Sequence, residues 1–250
     1  MKHRPRVCRG LFVVASAVGL FADTVALAEA PAREPNVLRT TVQVRNGNGR
    51  GSGTVIVSGP GETLVLTAAH VVHDPGDLKV EIHRHNLGSR VMSLTEGGGW
   101  PRLVPAKVVA IDDDTDVAIV RITGMVALPH VARIDPKAGE PTKGETLTSV
   151  GIDRTLHLTL WRTGVEGSAR INLGRGRGPR LFTVTTRWPE HGRSGGGLFR
   201  QDGTLVGVCC GQLTVGSGPR NGAFASVESV REILQKYGRA DPKPPKSSRP

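Results

Sequence analysis

From residue 40 to residue 226 the chain is a succession of short runs rich in valine, isoleucine and leucine, separated by turns that carry glycine and proline. Runs of this length and composition read as strands. The first set lies at residues 40–44, 53–57, 64–67, 78–82, 106–110 and 117–122, the second at 146–151, 156–163, 181–185, 205–210 and 222–226. Between the sets, residues 129–144 are rich in proline and charge and read as a connector. Good helical spacing comes at the end, where Val230, Ile233, Leu234 and Tyr237 fall on one face. Ser226 stands at the N-cap, Glu228 suits the positive end of the helix dipole, and Gly238 can close the helix. An aromatic content of only 4%, with 33 glycines and 17 prolines, agrees with many short strands. The expected class is all-β: two six-stranded antiparallel β-barrels with a C-terminal α-helix.

The ends of the chain read differently. Lys2, Arg4, Arg6 and Arg9 precede an apolar run at 11–22, and Ala26-Leu27-Ala28 offers a small-x-small cleavage site. That is the layout of a secretory signal peptide. Twelve apolar residues are short for a membrane span, so cleavage is expected and no stable span after it. Residues 1–28 are then the signal peptide, 29–36 a linker, 37–128 the first barrel, 145–238 the second barrel with its helix, and 239–250 a disordered basic tail. Part of the formal charge of +11 lies at these ends, each of which carries four basic residues against one acidic, so the body keeps about +5. The body shows no basic face with aromatics for stacking, so nucleic acid is not an expected partner. Cys8 leaves with the signal peptide. Cys209 and Cys210 are strand neighbours that point to opposite faces, and a bridge between them would be strained. Two free thiols are expected.

Three motifs carry chemistry. Gly192-Arg193-Ser194-Gly195-Gly196 sets a serine in a run too glycine-rich for helix, with a strand soon after. Thr67-Ala68-Ala69-His70 ends a β-rich run, the small residues letting the backbone pass close under a cleft. Asp116 heads the apolar run at 117–122. A serine hydroxyl at neutral pH needs an imidazole to take its proton, and the imidazole needs a buried carboxylate to fix its tautomer. Ser194, His70 and Asp116 match those roles. The competing groups read more plainly. Asp112, Asp113 and Asp114 form a solvated acidic turn without the glycine and distal glutamate of a calcium loop. His83 and His85 share a strand face without a third ligand. Residues 174–180 form a basic surface loop.

Thr-Ala-Ala-His, Asp-Val-Ala-Ile-Val and Gly-x-Ser-Gly-Gly, in that order, resemble the motifs of trypsin-like, chymotrypsin-fold serine proteases. Gly51-Ser52-Gly53-Thr54-Val55-Ile56 and Gly222-Ala223-Phe224-Ala225 bring the likeness nearest to the protease domain of HtrA-type bacterial envelope proteases. The resemblance covers residues 37–238 and includes no PDZ domain. It implies His70, Asp116 and Ser194 as the catalytic triad, and the N–H groups of Gly192 and Ser194 as the oxyanion hole. It also places Trp188 at the base of the primary pocket, with Cys210, Gly211 and Gln212 as one wall. Trp188 supplies no carboxylate, so cleavage after small or medium uncharged residues is expected. The chain departs from digestive trypsins in carrying Arg193 where they carry an aspartate, and in lacking their Ile-Val-Gly-Gly start.

The function these features predict is a secreted or periplasmic serine endopeptidase acting on protein or peptide substrates, with no metal or organic cofactor and no oligomeric state fixed by the sequence. The alternative is a catalytically latent or inactive binding module on the same fold. An esterase would need a helix directly after the nucleophile elbow, and here a strand follows.

Overall fold

The computed structural model describes residues 36–74, 76–88, 99–122, 127–173, 178–214 and 218–238. The expected signal peptide, most of the linker, residues 174–177 and the basic tail lie outside them. A short 3₁₀ segment, Asn36–Thr40, leads into β1 (Thr41–Asn46), followed by β2 (Gly49–Gly59), β3 (Glu62–Ala68), the single-turn helix α1 (Ala69–Val72), β4 (Leu78–Ile82), β5 (Arg102–Asp112) and β6 (Val117–Ile122). These strands close in the order β1-β2-β3-β6-β5-β4, with β4 returning to pair with β1. The second set is β7 (Thr146–Ile152), β8 (Leu158–Ile171), β9 (Arg180–Thr185), β10 (Gly197–Phe199), β11 (Leu205–Thr214) and β12 (Arg220–Ala225), closed in the order β10-β11-β12-β9-β8-β7. The strand pairs of both barrels are antiparallel, and closure leaves no unpaired edge to attract another chain.

Each barrel has its own core. Val44, Val55, Val65, Val80 and Val120 fill the first, while Leu147, Trp161, Leu198, Val206 and Phe224 fill the second. Residues that alternate with these face the other barrel. Ile56, Leu64, Leu66 and Ile119 from the first meet Phe182, Phe199, Leu205 and Val208 from the second in one cluster. The central strands are therefore buried on both faces, which is why β3 and β6 read as continuous apolar runs and not as apolar-polar alternation.

Helix α2 (Val227–Lys236) follows the second barrel but packs back across the first. Its Val230, Ile233 and Leu234 join the inter-barrel cluster. Lys236 Nζ donates to the Ile111 carbonyl at 2.8 Å, and the Tyr237 hydroxyl donates to Glu62 at 2.8 Å. Ser226 caps the helix as expected, its Oγ accepting from Ser229 N at 3.2 Å. Among the described residues no helix is long and apolar enough to cross a membrane.

The structure corrects the sequence reading at three points. β10 supplies the sixth strand of the second barrel, which the apolar runs leave unlocated because Gly197-Leu198-Phe199 is too short to show a period. His70 lies on α1 and not on the end of a strand. His83 and His85 do not share a strand face: β4 stops at Ile82, His85 lies in a 3₁₀ turn (Arg84–Leu87), and the two rings stack at 5.4 Å, fully buried.

Candidate active site

The first barrel supplies a histidine and a carboxylate. α1 is one turn long, and it sets His70 at the surface with 40% of its side chain exposed. Behind it Ala68 and Ala69 are fully buried. Asp116 lies in the turn between β5 and β6 at φ +55°, a left-handed conformation uncommon for a residue with a side chain. The turn earns this geometry with three hydrogen bonds. Asp116 Oδ1 accepts from His70 N at 2.9 Å, Oδ2 lies 2.7 Å from His70 Nδ1, and the Asp116 carbonyl accepts from Ala69 N at 3.0 Å. A carboxylate facing Nδ1 fixes that nitrogen as the proton carrier and leaves Nε2 as the basic one. The neighbouring His73 faces elsewhere, its Nε2 2.6 Å from Asp113 Oδ1, so one member of the acidic turn lies against an imidazole and is not only solvated.

The second barrel supplies the serine loop. Gly192 and Gly195 have φ of +92° and +86°. A Cβ on Gly195 would lie 2.1 Å from the Ser52 carbonyl, so no other residue fits there. The loop's backbone is tied down on both sides of the serine. Arg193 N donates to Glu190 O at 3.2 Å, Gly196 N to Arg193 O at 2.8 Å and Gly195 N to Cys209 O at 2.7 Å. Among the described residues neither Gly192 N nor Ser194 N donates to a protein acceptor. No hydrogen bond joins Ser194 Oγ to His70 among the described residues.

Ser52 is the residue that sequence reasoning missed. From β2 its N–H donates to the Ser194 carbonyl at 2.7 Å. Its Oγ donates to Gly192 O at 2.9 Å and accepts from Ile152 N at 2.8 Å, while Thr67 Oγ1 holds its carbonyl at 2.7 Å. One serine of the first barrel thus fixes the serine loop of the second. Its partners on the second barrel lie some 100 to 140 positions away, and no local pattern carries that information.

Cys210 occupies a bulge between β11 and β12, where Cys209 pairs with Phe224 and Gly211 with Ala223. Bulges re-aim side chains. Here the thiol approaches the Thr115 carbonyl at 3.7 Å, beside Asp116. Both cysteines are free. Burial, then the Asp116 carboxylate, pushes the Cys210 thiol well up, and burial carries Cys209 to about 12. Gln212 Nε2 donates to Pro189 O at 3.1 Å, joining the 210–212 segment to the segment before the serine. Trp188 is 44% exposed. It lines a cavity of about 250 Å³ with Trp161, Arg187, Glu190 and Arg193, into which Cys210, Gly211 and Gln212 do not reach.

Two closed six-stranded barrels with a serine loop on one and a histidine-carboxylate pair on the other define the chymotrypsin-like class of fold. Residues 51–208 match the trypsin-like peptidase domain, and the chain belongs to that family. It is similar to serine protease HTRA1 of Xenopus laevis, 29% identical over 169 residues, covering 66% of this chain and 32% of that protein. It is likewise similar to the periplasmic pH-dependent serine endoprotease DegQ of Escherichia coli K12, 27% identical over 186 residues, covering 74% and 36%. The chain spans about a third of the length of these relatives. Among solved structures, the serine endoprotease from Yersinia pestis matches with TM-score 0.60 at 23% identity, covering 82% of this chain and 67% of that one. An inactive mutant form of Rv3671c from M. tuberculosis matches with TM-score 0.59 at 22% identity, covering 83% and 92%. Both share the fold.

Proposed function

We propose that the chain is a serine endopeptidase in which Ser194 attacks a peptide carbonyl, His70 takes the hydroxyl proton, and Asp116 stabilises the imidazolium. The tetrahedral oxygen is received by the N–H groups of Gly192 and Ser194. His70 then returns the proton to the leaving amine, and water hydrolyses the acyl-enzyme by the same route. The observation that carries this reading is the double hold of Asp116 on the ring and backbone of His70, 2.7 and 2.9 Å, with Ser194 on a loop whose two flanking N–H groups are unspent. The absent Ser194–His70 hydrogen bond favours a second reading, a latent site. Such bonds are often long before substrate arrives and tighten in the Michaelis complex.

The test is fluorophosphonate labelling beside Ser194→Ala. Labelling of wild type that vanishes in the variant supports the triad. A folded wild type that stays unlabelled leaves the latent binding module as the reading. Where labelling succeeds, a peptide-library profile addresses specificity. The segment 210–212, closed onto Pro189 by Gln212, fits a shallow pocket for small or medium uncharged residues, and a profile dominated by arginine or lysine overturns that assignment. A secreted or periplasmic location rests on the basic-apolar-small layout of residues 1–28 and on the likeness to a periplasmic relative. Mass spectrometry of the mature protein then finds Glu29 at its N-terminus; an intact Met1 contradicts it.

A further inference from the structure

The residue between the two oxyanion donors is a buried arginine. Arg193 is 1% exposed, yet among the described residues no carboxylate pairs with its guanidinium. Its charge is held by weaker groups of the second barrel. Nη1 donates to Ser149 Oγ at 3.3 Å, Nη1 and Nη2 both reach the Thr159 carbonyl at 3.5 Å, and Nη2 donates to Thr159 Oγ1. The guanidinium carbon lies 4.7 Å from the centroid of the Trp161 ring, a cation–π contact. Nε has no partner.

As a device for stability this is a poor arrangement. Burying an unpaired charge is costly, and apolar residues of similar volume commonly do as well or better. What arginine provides that methionine does not is a rigid planar fork, fixed in direction by ring, hydroxyls and carbonyl. That fork is anchored to a pivotal point of the loop. The Ser194 N–H belongs to the peptide plane whose carbonyl is that of Arg193, held by Gly196 N at 2.8 Å. The plane before it carries the Gly192 carbonyl, held by Ser52 Oγ at 2.9 Å. The two planes meet at the Cα of Arg193.

We propose that Arg193 is a positioning residue of the oxyanion hole: its guanidinium, seated against Trp161, Thr159 and Ser149, fixes the peptide plane that aims the Ser194 N–H. The proposal rests on the serine-peptidase reading above. Burial lowers the guanidinium pKa to about 10, nearby Cys209 and Asp153 opposing that fall, so the fork remains charged at neutral pH.

The test separates binding from chemistry in the full chain, using a fluorophosphonate as probe. Loss of one oxyanion-hole donor typically costs 10²–10³ in rate. Arg193→Met is therefore expected to lower the limiting rate of Ser194 labelling about 100-fold while leaving the probe's half-saturation concentration near that of wild type. Its circular dichroism and thermal unfolding stay close to wild type, since no ion pair is broken. In Arg193→Ala, millimolar guanidinium restores part of the lost rate. A folded Arg193→Met that labels at the wild-type rate overturns the proposal, as does a loss confined to half-saturation. Should Arg193→Met not fold, the isosteric Thr159→Val, which removes one acceptor from the fork, decides in its place: a several-fold fall in limiting rate supports positioning, and no fall rejects it. If wild type itself does not label, the serine-peptidase reading fails, and that failure is visible before any variant is made.

Discussion

His85 shows what a single side chain can do to this molecule. Its ring is buried, Nε2 donates to the Thr41 carbonyl at 3.0 Å, and the His83 ring stacks on it. Asn86 donates to the same carbonyl at 2.8 Å, so the turn pins the entrance of β1. Burial lowers the His85 pKa from 6.5 to about 4. The unfolded chain therefore takes up a proton between pH 6.5 and 4 that the folded chain refuses, and stability present above pH 6.5 drains as the pH falls to 4. Denaturant unfolding at pH 7.5 and pH 4.5 is expected to differ through this group by roughly 2 to 3 kcal/mol. His85→Gln keeps the donor to Thr41 and removes the titration, so the variant loses less stability over that interval. Equal losses in wild type and variant contradict the assignment. At this scale the sequence was legible where a residue's role depends on its neighbours. Two alanines before His70 and the glycines around the Arg193-Ser194 pair mark both residues in the sequence, although His70 lies on α1 and not at the end of a strand. It was not legible for His83 and His85, whose spacing of two resembles a strand face although the strand ends one residue earlier.

At the scale of elements, local chemistry set most of the outcome. The residues of β4 and β6 are those expected from their apolar runs, because both strands are short and bounded by turns. β8 runs to Ile171, eight residues beyond expectation, since its partner β9 continues to offer hydrogen bonds where the apolar pattern has lapsed. β10 exists only because β7 and β11 flank it. Helix α2 has its own start signal. Ser226→Ala removes the acceptor for Ser229 N and is expected to cost about 1 kcal/mol, seen as a lower midpoint in denaturant unfolding. An unchanged midpoint would mean that packing of Val230, Ile233 and Leu234 alone holds the helix. Since α2 fastens the second barrel onto the first, the loss should appear in the cooperative unfolding of the whole and not as local fraying.

At the scale of the molecule, the site exists because two barrels share one apolar interface. The sequence by itself determined the all-β class, the closing helix and the three motifs, since each is written in residues close together in the chain: strand period, cap, and the small residues around His70 and Ser194. Tertiary structure decided the rest. It placed Ser52 against the serine loop across 140 positions, set Cys210 beside the turn of Asp116 through a bulge, and sank Arg193 into the second barrel against Trp161. These arrangements depend on hydrogen bonds and burial between segments distant in the chain. A neighbour in sequence says nothing about which distant carbonyl or ring will stand within reach once the barrels close.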